Sequence, residues 1–306
     1  MSTLLQTIVS TLSLGSLYAL IALGYTLVYG VLRFINFAHS DVFTVGAWSS
    51  VVIAGAFGWA KTGAPAFALP VVLVLSMALC AALGITIETL AYRPLRRAPR
   101  LNVLITAIGV SLFLQNTGQL KAVFGPSPTP SAKLLVDHEL LTVAGVRIGL
   151  VDVVVVVLAG ALMLGLELLI FRTRLGRAMR AVSFDERVAA LLGVDVNRVV
   201  SITFGIGSAL AAAGGVIYAL KFPSLGQPAD ATWVLLGLKA FVAAVVGGIG
   251  NVRGAVAGAM LIAAIEKFGG AYLSASLQDV YVFAVLILIL LWRPSGLFGR
   301  AVVEKV

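Results

Sequence analysis

Polar residues that could bind a solute are rare in this chain, and most of them interrupt apolar stretches. The first group lies between Arg33 and Asp41, where Asn36, His39 and Asp41 stand among apolar neighbours. A charged side chain placed inside a lipid bilayer costs about 2.5–3.5 kcal/mol even on lenient scales. We therefore expect these side chains either to cap the following helix near water or to line a pathway facing a central cavity. Both interpretations remain open.

A second polar group, Ser111, Gln115 and Asn116, lies in the middle of another apolar run. Amides need hydrogen-bond partners in hydrocarbon, so these either bond to neighbouring helices or contact a substrate. A metal site is not predicted, because His39 and His138 are too far apart in sequence to give a ligand spacing.

Catalysis is not predicted either. Paired histidines, paired aspartates and a serine–histidine constellation are missing at any usable spacing, and so is the glycine-rich loop motif that cradles nucleotide phosphates. The lone cysteine, Cys80, lies in an apolar run, so one chain forms no disulfide and no cysteine metal site. We expect no catalytic site.

The segment from Thr173 to Val199 is polar, rich in arginine and flanked by two long apolar runs. Asp185 and Glu186 begin a short helical pattern, because acidic residues favour a helix N-terminus, and Gly193 ends it. The surrounding arginines are Arg172, Arg174, Arg177, Arg180, Arg187 and Arg198. This segment is expected either to be a docking surface for a partner or to be a basic loop that only fixes orientation in the membrane.

Membrane-spanning helices are the elements that must position these residues. The chain has 306 residues, of which 60% are hydrophobic and 11% charged, and its mean hydropathy is +1.06. Soluble domains have about 25% charged residues. The net charge of +9 does not indicate nucleic-acid binding, because the basic residues cluster in short gaps between apolar runs.

A helix needs about 20 apolar residues to cross the bilayer core. The runs that qualify are roughly 5–31, 41–59, 67–91, 101–123, 148–171, 199–220, 233–251 and 277–293, and the run 254–270 is marginal. We predict an all-α polytopic membrane protein with eight or nine spans. With eight, a glycine-rich segment near 247–258 would be re-entrant.

Basic residues predict the orientation, because they concentrate in cytoplasmic loops. The basic clusters are the arginine-rich segment, the group Arg93, Arg96, Arg97 and Arg100, and the tail with Arg293, Arg300 and Lys305. The segments between them are poorer, with Lys61, Lys133 and Arg147. This pattern puts the N-terminus outside and the C-terminus in the cytoplasm, which nine crossings satisfy. The longest outer loop is expected to hold a small hairpin or to be a bare connector.

Two further patterns concern the whole chain. Gly207-Ser208 followed by Ala211 echoes Gly15-Ser16 followed by Ala19, in spans predicted to run in opposite directions, which fits an inverted repeat. An ion-coupled transporter working alone would need acids deep in the membrane. The acids of the apolar runs are instead expected near span ends: Glu88, Asp152, Glu167 and Glu266.

Several segments together resemble one family of membrane proteins. They are Tyr18 to Gly24 with Ile35 to His39, Arg180 to Gly193, Gly247 to Ala255, and the terminal Arg293 to Gly299. This combination resembles the permeases of branched-chain amino acid ABC transporters, of the LivH type, over essentially the whole chain. Ser40 departs from the pattern, since glycine is commoner there. Permeases for urea and short-chain amides share these segments.

The resemblance implies one transmembrane permease domain over residues 1–306, a multi-pass subunit of an ATP-driven importer in the bacterial inner (cytoplasmic) membrane. The implied partners are a second homologous permease, two cytoplasmic ABC ATPases and a periplasmic substrate-binding protein. ATP and Mg would be bound by the ATPases, and the permease would need no cofactor. The substrate would be a branched-chain or other apolar amino acid moved by alternating access; the alternative is urea or a short-chain amide.

The resemblance also assigns roles along the chain. The segment of about 172–198 would be the coupling loop, and the main periplasmic loop would cover about 124–147. The residues at the ATPase contact would be Asp185, Glu186, Arg187, Ala189 and Gly193. For the substrate pathway we predict Asn36, His39, Asp41, Gln115 and Asn116.

Overall fold

The computed structural model describes residues 2–34, 36–59, 64–96, 98–143 and 145–299. Within these ranges the helices are α1 (Ser2–Leu32), α2 (His39–Ala56), α3 (Ala68–Ile87), α4 (Arg100–Gly118), α5 (Leu150–Arg172), α6 (Arg174–Phe184), α7 (Glu186–Leu191), α8 (Val196–Lys221), α9 (Ala231–Gly247), α10 (Val252–Tyr272) and α11 (Gln278–Trp292). A π-helical turn (Glu88–Tyr92) and a 3-10 turn (Arg93–Leu95) extend α3, and another 3-10 turn (Ala275–Leu277) precedes α11.

The long helices confirm a polytopic helical membrane protein. Seven helices of the described part of the chain are long and apolar enough to cross a membrane: α1, α3, α4, α5, α8, α10 and α11. The other two long helices are α9, which has 17 residues, and α2, which begins with His39, Ser40 and Asp41. These nine helices correspond to the nine predicted apolar runs. The number that cross the membrane stays a prediction.

The region 233–270, for which the sequence left either two spans or a re-entrant segment open, forms two helices, α9 and α10, joined by a tight turn. Gly248 and Gly250 have φ of +102° and +92°, which an L side chain rarely adopts. The Asn251 side chain then caps α10 by accepting a hydrogen bond from the Gly254 N–H at 3.2 Å. The glycine-rich segment near 247–258 therefore forms a turn and the first residues of a regular helix of 21 residues.

The helices pack in an exchanged pattern. α1 packs against α9 and α10, whereas α8 packs against α2 and α3. If α1–α4 is compared with α8–α11 in order, the first helix of each set contacts the second and third of the other. An inverted repeat would produce this exchange, so the packing is consistent with that prediction.

Two short strand pairs and the start of α1 lie at one end of the bundle. β2 (Glu139–Val143) and β3 (Val146–Gly149) form the predicted hairpin, and β1 (Thr129–Pro130) pairs with β4 (Ser224–Leu225), both antiparallel. Gln6 of α1 is hydrogen-bonded to the Arg147 backbone at 2.9 and 3.2 Å, which fixes the hairpin beside the N-terminus.

The opposite end holds the arginine-rich segment and the described residues that follow α11. The backbone N–H groups of Leu297 and Phe298 donate to the carbonyls of Val246 and Gly247 at 2.8 and 3.1 Å, below the α9–α10 turn. Arg33 of the α1–α2 connection reaches the Ser183 carbonyl of α6 at 3.2 Å. Most described arginines thus gather at this end, and the orientation of the chain in the membrane stays a prediction. Some basic residues used for that prediction lie outside the described residues: Lys61, Arg97, Arg300 and Lys305.

Five of the described helices begin at a capping side chain, including Asn251 of α10. Thr173, Asp185 and Asp195 each accept a hydrogen bond from a backbone N–H in the first turn of α6, α7 and α8. Asp230 does the same for α9. Hydrogen bonds from the Thr232 side chain and backbone hold the pKa of the Asp230 carboxyl below its ordinary value.

Candidate functional site

The polar residues that begin α2 lie inside the bundle. His39, Ser40 and Asp41 have exposed fractions of 1%, 6% and 2%. The His39 imidazole packs against Gly24 of α1, in the space that a β-carbon on Gly24 would fill. Gly24 precedes Leu32, the end of α1, by two helical turns, so α2 begins about 12 Å inside that end. A helix start in this position faces other helices and not bulk water.

Asn36 holds the segment that precedes α2. Its side-chain oxygen accepts hydrogen bonds from the Ala38 N–H at 3.1 Å and from the Tyr92 hydroxyl at 2.6 Å. Tyr92 is fully buried and belongs to the π-helical turn after α3. Asn36 therefore links the start of α2 to the end of α3.

Asp41 and Gln115 meet across α2 and α4. The Gln115 amide donates to Asp41 Oδ1 at 2.9 Å and lies 3.2 Å from the Ser111 hydroxyl, which also lies beside the Asp41 carboxylate. The second oxygen, Asp41 Oδ2, is buried and has no hydrogen-bond partner in the protein. A buried acceptor without a partner carries a desolvation cost of about 1–3 kcal/mol, and more when it is charged.

An apolar cavity adjoins this polar pair. It has a volume of about 170 Å³, and the rings and hydroxyls on its wall come from Tyr25, Phe37, Ser40, Ser111 and Phe241. Exposed apolar residues of α4 and α9, among them Leu112 and Val234, form its rim. A mostly apolar chamber with a few hydroxyls suits an apolar side chain.

The predicted pathway residues divide into two sets. Asp41 and Gln115 are brought together, whereas Asn36 bonds to Tyr92 and His39 packs against α1. Asn116 is exposed and donates to the Leu112 carbonyl of its own helix at 2.7 Å. Of the five predicted residues, the structure thus brings Asp41 and Gln115 into direct contact, and solute binding there stays a prediction.

The arginine-rich segment folds into α6 and α7 as a compact unit. Asp185 Oδ1 caps α7 by accepting from the Arg187 and Val188 N–H groups at 2.8 and 3.0 Å. Gly193 ends the unit with φ of +83°. Ala189 is buried among Met179, Val182 and Val199, which anchors α7 to α6 and α8. The expected short capped helix is therefore present.

Apolar side chains project from the tip of this unit. Phe184, Leu191 and Leu192 are 88%, 87% and 78% exposed. Beside them, Glu186 and Arg187 line an open groove of about 610 Å³ that is closed on its other side by Arg33 and Arg96. Exposed apolar residues rimmed by charges are typical of a protein-docking surface.

A buried carboxylate ties this end of the bundle together. Glu88 of the π-helical turn is buried, accepts from Arg93 at 2.8 Å and from Ser201 of α8 at 2.6 Å, and forms a second ion pair with Arg96. Arg96 also donates to Asn197 of α8 at 2.9 Å. Because Tyr92 of the same turn bonds to Asn36, hydrogen bonds connect the start of α8 with the start of α2.

A second buried ionic cluster was not predicted from the sequence. Lys239, at the middle of α9, pairs with Glu266 at 3.0 Å and with Asp279 at 2.6 Å, and Tyr18 donates to Glu266 at 2.7 Å. The expectation that Glu266 lies near a span end is wrong, because it is level with the middle of α1 and α9. The signal that could have revealed this cluster is Lys239 itself, a single lysine in the apolar run of α9.

Comparisons with known proteins identify the family. A family described as "Branched-chain amino acid transport system / permease component" matches residues 7–290. The chain belongs to this family. Members are transport components, so the prediction that the chain is not an enzyme is confirmed.

Relatives match along nearly the full length. The high-affinity branched-chain amino acid transport system permease protein BraD of Pseudomonas aeruginosa is 39% identical, over 99% of this chain and 98% of its own. The corresponding protein LivH of Escherichia coli is 39% identical, over 99% and 97%. A probable branched-chain amino acid transport permease protein LivH of Methanocaldococcus jannaschii is 29% identical over 93% and 89%. The resemblance to branched-chain amino acid permeases is thereby confirmed.

Proposed function

We propose that this chain is the membrane-spanning permease subunit of an ATP-driven importer that carries branched-chain amino acids from the periplasm to the cytoplasm. The observation that carries the proposal is the match of the family and of two 39% identical permeases along nearly the whole chain. The apolar cavity beside Asp41 and Gln115 suits such a substrate better than urea, which has no apolar side chain.

The tip of the α6–α7 unit is proposed as the surface that docks to an ATPase. Its exposed apolar side chains would fill a groove on the partner, and the flanking charges of Glu186 and Arg187 would set the register. The unit is rigid because Asp185 caps it and Ala189 anchors it. A push on α7 would then move α8 and, through Glu88 and Tyr92, the start of α2.

The other subunits of the importer are inferred from the family to which this chain belongs. They are a second homologous permease, two cytoplasmic ATPases that bind ATP and Mg, and a periplasmic substrate-binding protein, assembled in the bacterial inner membrane. The arginine-rich end would face the cytoplasm and the β2–β3 hairpin the periplasm, as the distribution of basic residues favours.

An ion-coupled transporter working alone is not favoured. Glu266 lies deeper than expected, but it is held in an ion pair with Lys239 and is therefore not free to bind a coupling ion. Transport by this chain without partners under an ion gradient would contradict the importer proposal.

Reconstitution tests the proposal. Proteoliposomes that contain this chain with its second permease and ATPases should take up leucine when ATP and the binding protein are supplied. Reversing the charges by Asp185→Lys with Arg187→Glu should lower uptake and ATPase copurification by about tenfold or more, because a cap and a docking contact are lost. The control is the swap Glu139→Lys with Arg147→Glu, an exposed ion pair at the opposite end of the bundle. It should retain the ATPases. Equal ATPase retention by both variants would contradict docking at α7.

A further inference from the structure

Buried acids of the described chain have cationic partners, with one exception. Glu88 pairs with Arg93 and Arg96, and Glu266 pairs with Lys239. Asp41 is buried to a similar extent, but within the described residues it forms no ion pair. His39 does not serve as its partner, because residues two apart on a helix face different directions and the imidazole packs against Gly24 and Tyr25.

A pocket with room for one small group adjoins Asp41. Asp41, Thr44 and Gln115 line a pocket of about 10 Å³, close to the space that one water molecule needs. An ammonium group has about the size of a water molecule and offers three donors. It would satisfy Asp41 Oδ2, and its charge would offset the cost of burying the carboxylate.

The small pocket lies next to the apolar cavity. Gln115 lines the pocket, and Ser111, one helical turn earlier, lines the cavity, with their side chains 3.2 Å apart. In an α-amino acid the ammonium and the side chain are attached to the same carbon. An ammonium at Asp41 would therefore leave the side chain within reach of the cavity wall formed by Tyr25, Phe37 and Phe241.

We propose that Asp41 binds the α-ammonium group of the transported amino acid, while the adjoining apolar cavity receives its side chain. This inference rests on the proposed function and adds to it the chemical group that the permease recognises. It assigns to Gln115 a positioning role, since its amide holds Asp41 Oδ1 and leaves Oδ2 free.

The first test compares Asp41→Asn with the wild-type complex in proteoliposomes. Leucine uptake should fall by about tenfold or more, because a charge-assisted hydrogen bond is lost. The melting temperature should rise by about 2 °C or more, because a buried charge without a partner is removed. The control is Asp152→Asn, an acid of α5 that already pairs with Lys221, and it should retain uptake. Unchanged uptake with Asp41→Asn would overturn the proposal, and so would lost uptake with a lowered melting temperature, which indicates a structural role.

A second variant supplies the cation from the protein itself. Gln115→Lys places an ammonium within reach of Asp41, because the glutamine nitrogen already lies 2.9 Å from the carboxylate. It should abolish leucine uptake by occupying the pocket while raising the melting temperature. The Asp41→Asn, Gln115→Lys double variant should lose that stabilisation, which a double-mutant cycle measures. If the shift in melting temperature of the double variant equals the sum of the shifts of the two single variants, the proposal is overturned.

Two further outcomes separate the alternatives. If uptake by the wild-type complex falls to the Asp41→Asn level when Na⁺ and K⁺ are replaced by choline, Asp41 binds an inorganic cation and the proposal is overturned. If the wild-type complex takes up no leucine with binding protein and ATP present, the proposed function itself fails. Wild-type uptake with an Asp41→Asn variant that is equally active would leave the function standing and remove only the role of Asp41.

Discussion

Gly24 of α1 lacks a β-carbon, and the His39 imidazole lies where that atom would be, at 2.2 Å from its ideal position. The same imidazole packs edge-on against Tyr25 with ring centroids 4.6 Å apart. The close approach of His39 to Gly24 and its contact with Tyr25 therefore help to hold the start of α2 inside the bundle. The position of Asp41, two residues later, depends on this fit.

We predict that Gly24→Ala displaces His39 and destabilises the protein. Overpacking of a filled site costs about 1–3 kcal/mol. The matched control is Gly165→Ala in α5, where an added β-carbon has nothing within 4 Å. Alanine has a higher helix propensity than glycine by about 1 kcal/mol, so the control should be neutral or slightly stabilising. Thermal unfolding of the purified complex in nanodiscs measures both, and equal shifts would contradict the fit described for Gly24.

At the scale of elements, the cluster around Lys239 connects helices that are distant in sequence. Its partners lie on α10 and α11, and Tyr18 adds α1. A buried lysine between two carboxylates holds these helices in one relative position, because any sliding separates charges in a medium of low dielectric constant. The Glu88 cluster does the same between α3 and α8.

We predict that Lys239→Met strongly lowers the stability of the permease. Removing one partner of a buried ion pair costs about 3–5 kcal/mol, because the remaining charges stay buried without compensation. The control is Lys267→Met in α10, next to Glu266 in sequence but without an ion pair among the described residues. Its change in unfolding free energy should stay within about 0.5 kcal/mol. A Lys239→Met variant as stable as this control would show that the cluster does not bind the helices together.

At the scale of the whole molecule, the two ends differ in chemistry. One end presents the β2–β3 hairpin with Lys133 and Arg147, whereas the other presents most of the described arginines and the exposed apolar tip of α7. Basic residues are retained on the cytoplasmic side of a membrane. This difference predicts the orientation of the chain and places the exposed apolar tip of α7 on the cytoplasmic side.

We predict that cysteine labelling reports this orientation. Cys80 is buried, so a Cys80→Ala background removes background labelling at little structural cost. In spheroplasts, an impermeant maleimide should label Lys133→Cys directly and Ala190→Cys only after the membrane is opened. Both positions are exposed in the structure. Labelling of Ala190→Cys in intact spheroplasts would invert the orientation and contradict cytoplasmic docking at α7.

The sequence by itself determined the features that depend on local physics. Apolar runs predicted the nine long helices, because length and hydropathy suffice to define them. Asp185 and Gly193 predicted the bounds of α7, since a cap and a positive φ act within one helical turn. The β2–β3 hairpin in the loop of about 124–147 was predicted from turn residues. The concentration of arginines at one end was predicted from the distribution of charge along the chain. The α9–α10 region remained ambiguous, because its glycines fit both a tight turn and a re-entrant segment.

Only the tertiary structure decided which polar groups meet. Asp41 and Gln115 are 74 residues apart, and Tyr18 and Glu266 are 248 apart. Such pairs depend on which helix faces pack together and at what depth, and periodicity does not encode depth. The same applies to the start of α2 inside the bundle and to Asn36, which bonds to Tyr92. A helix carries its caps in its own sequence, whereas the partners of its buried charges are chosen by the neighbours against which it packs.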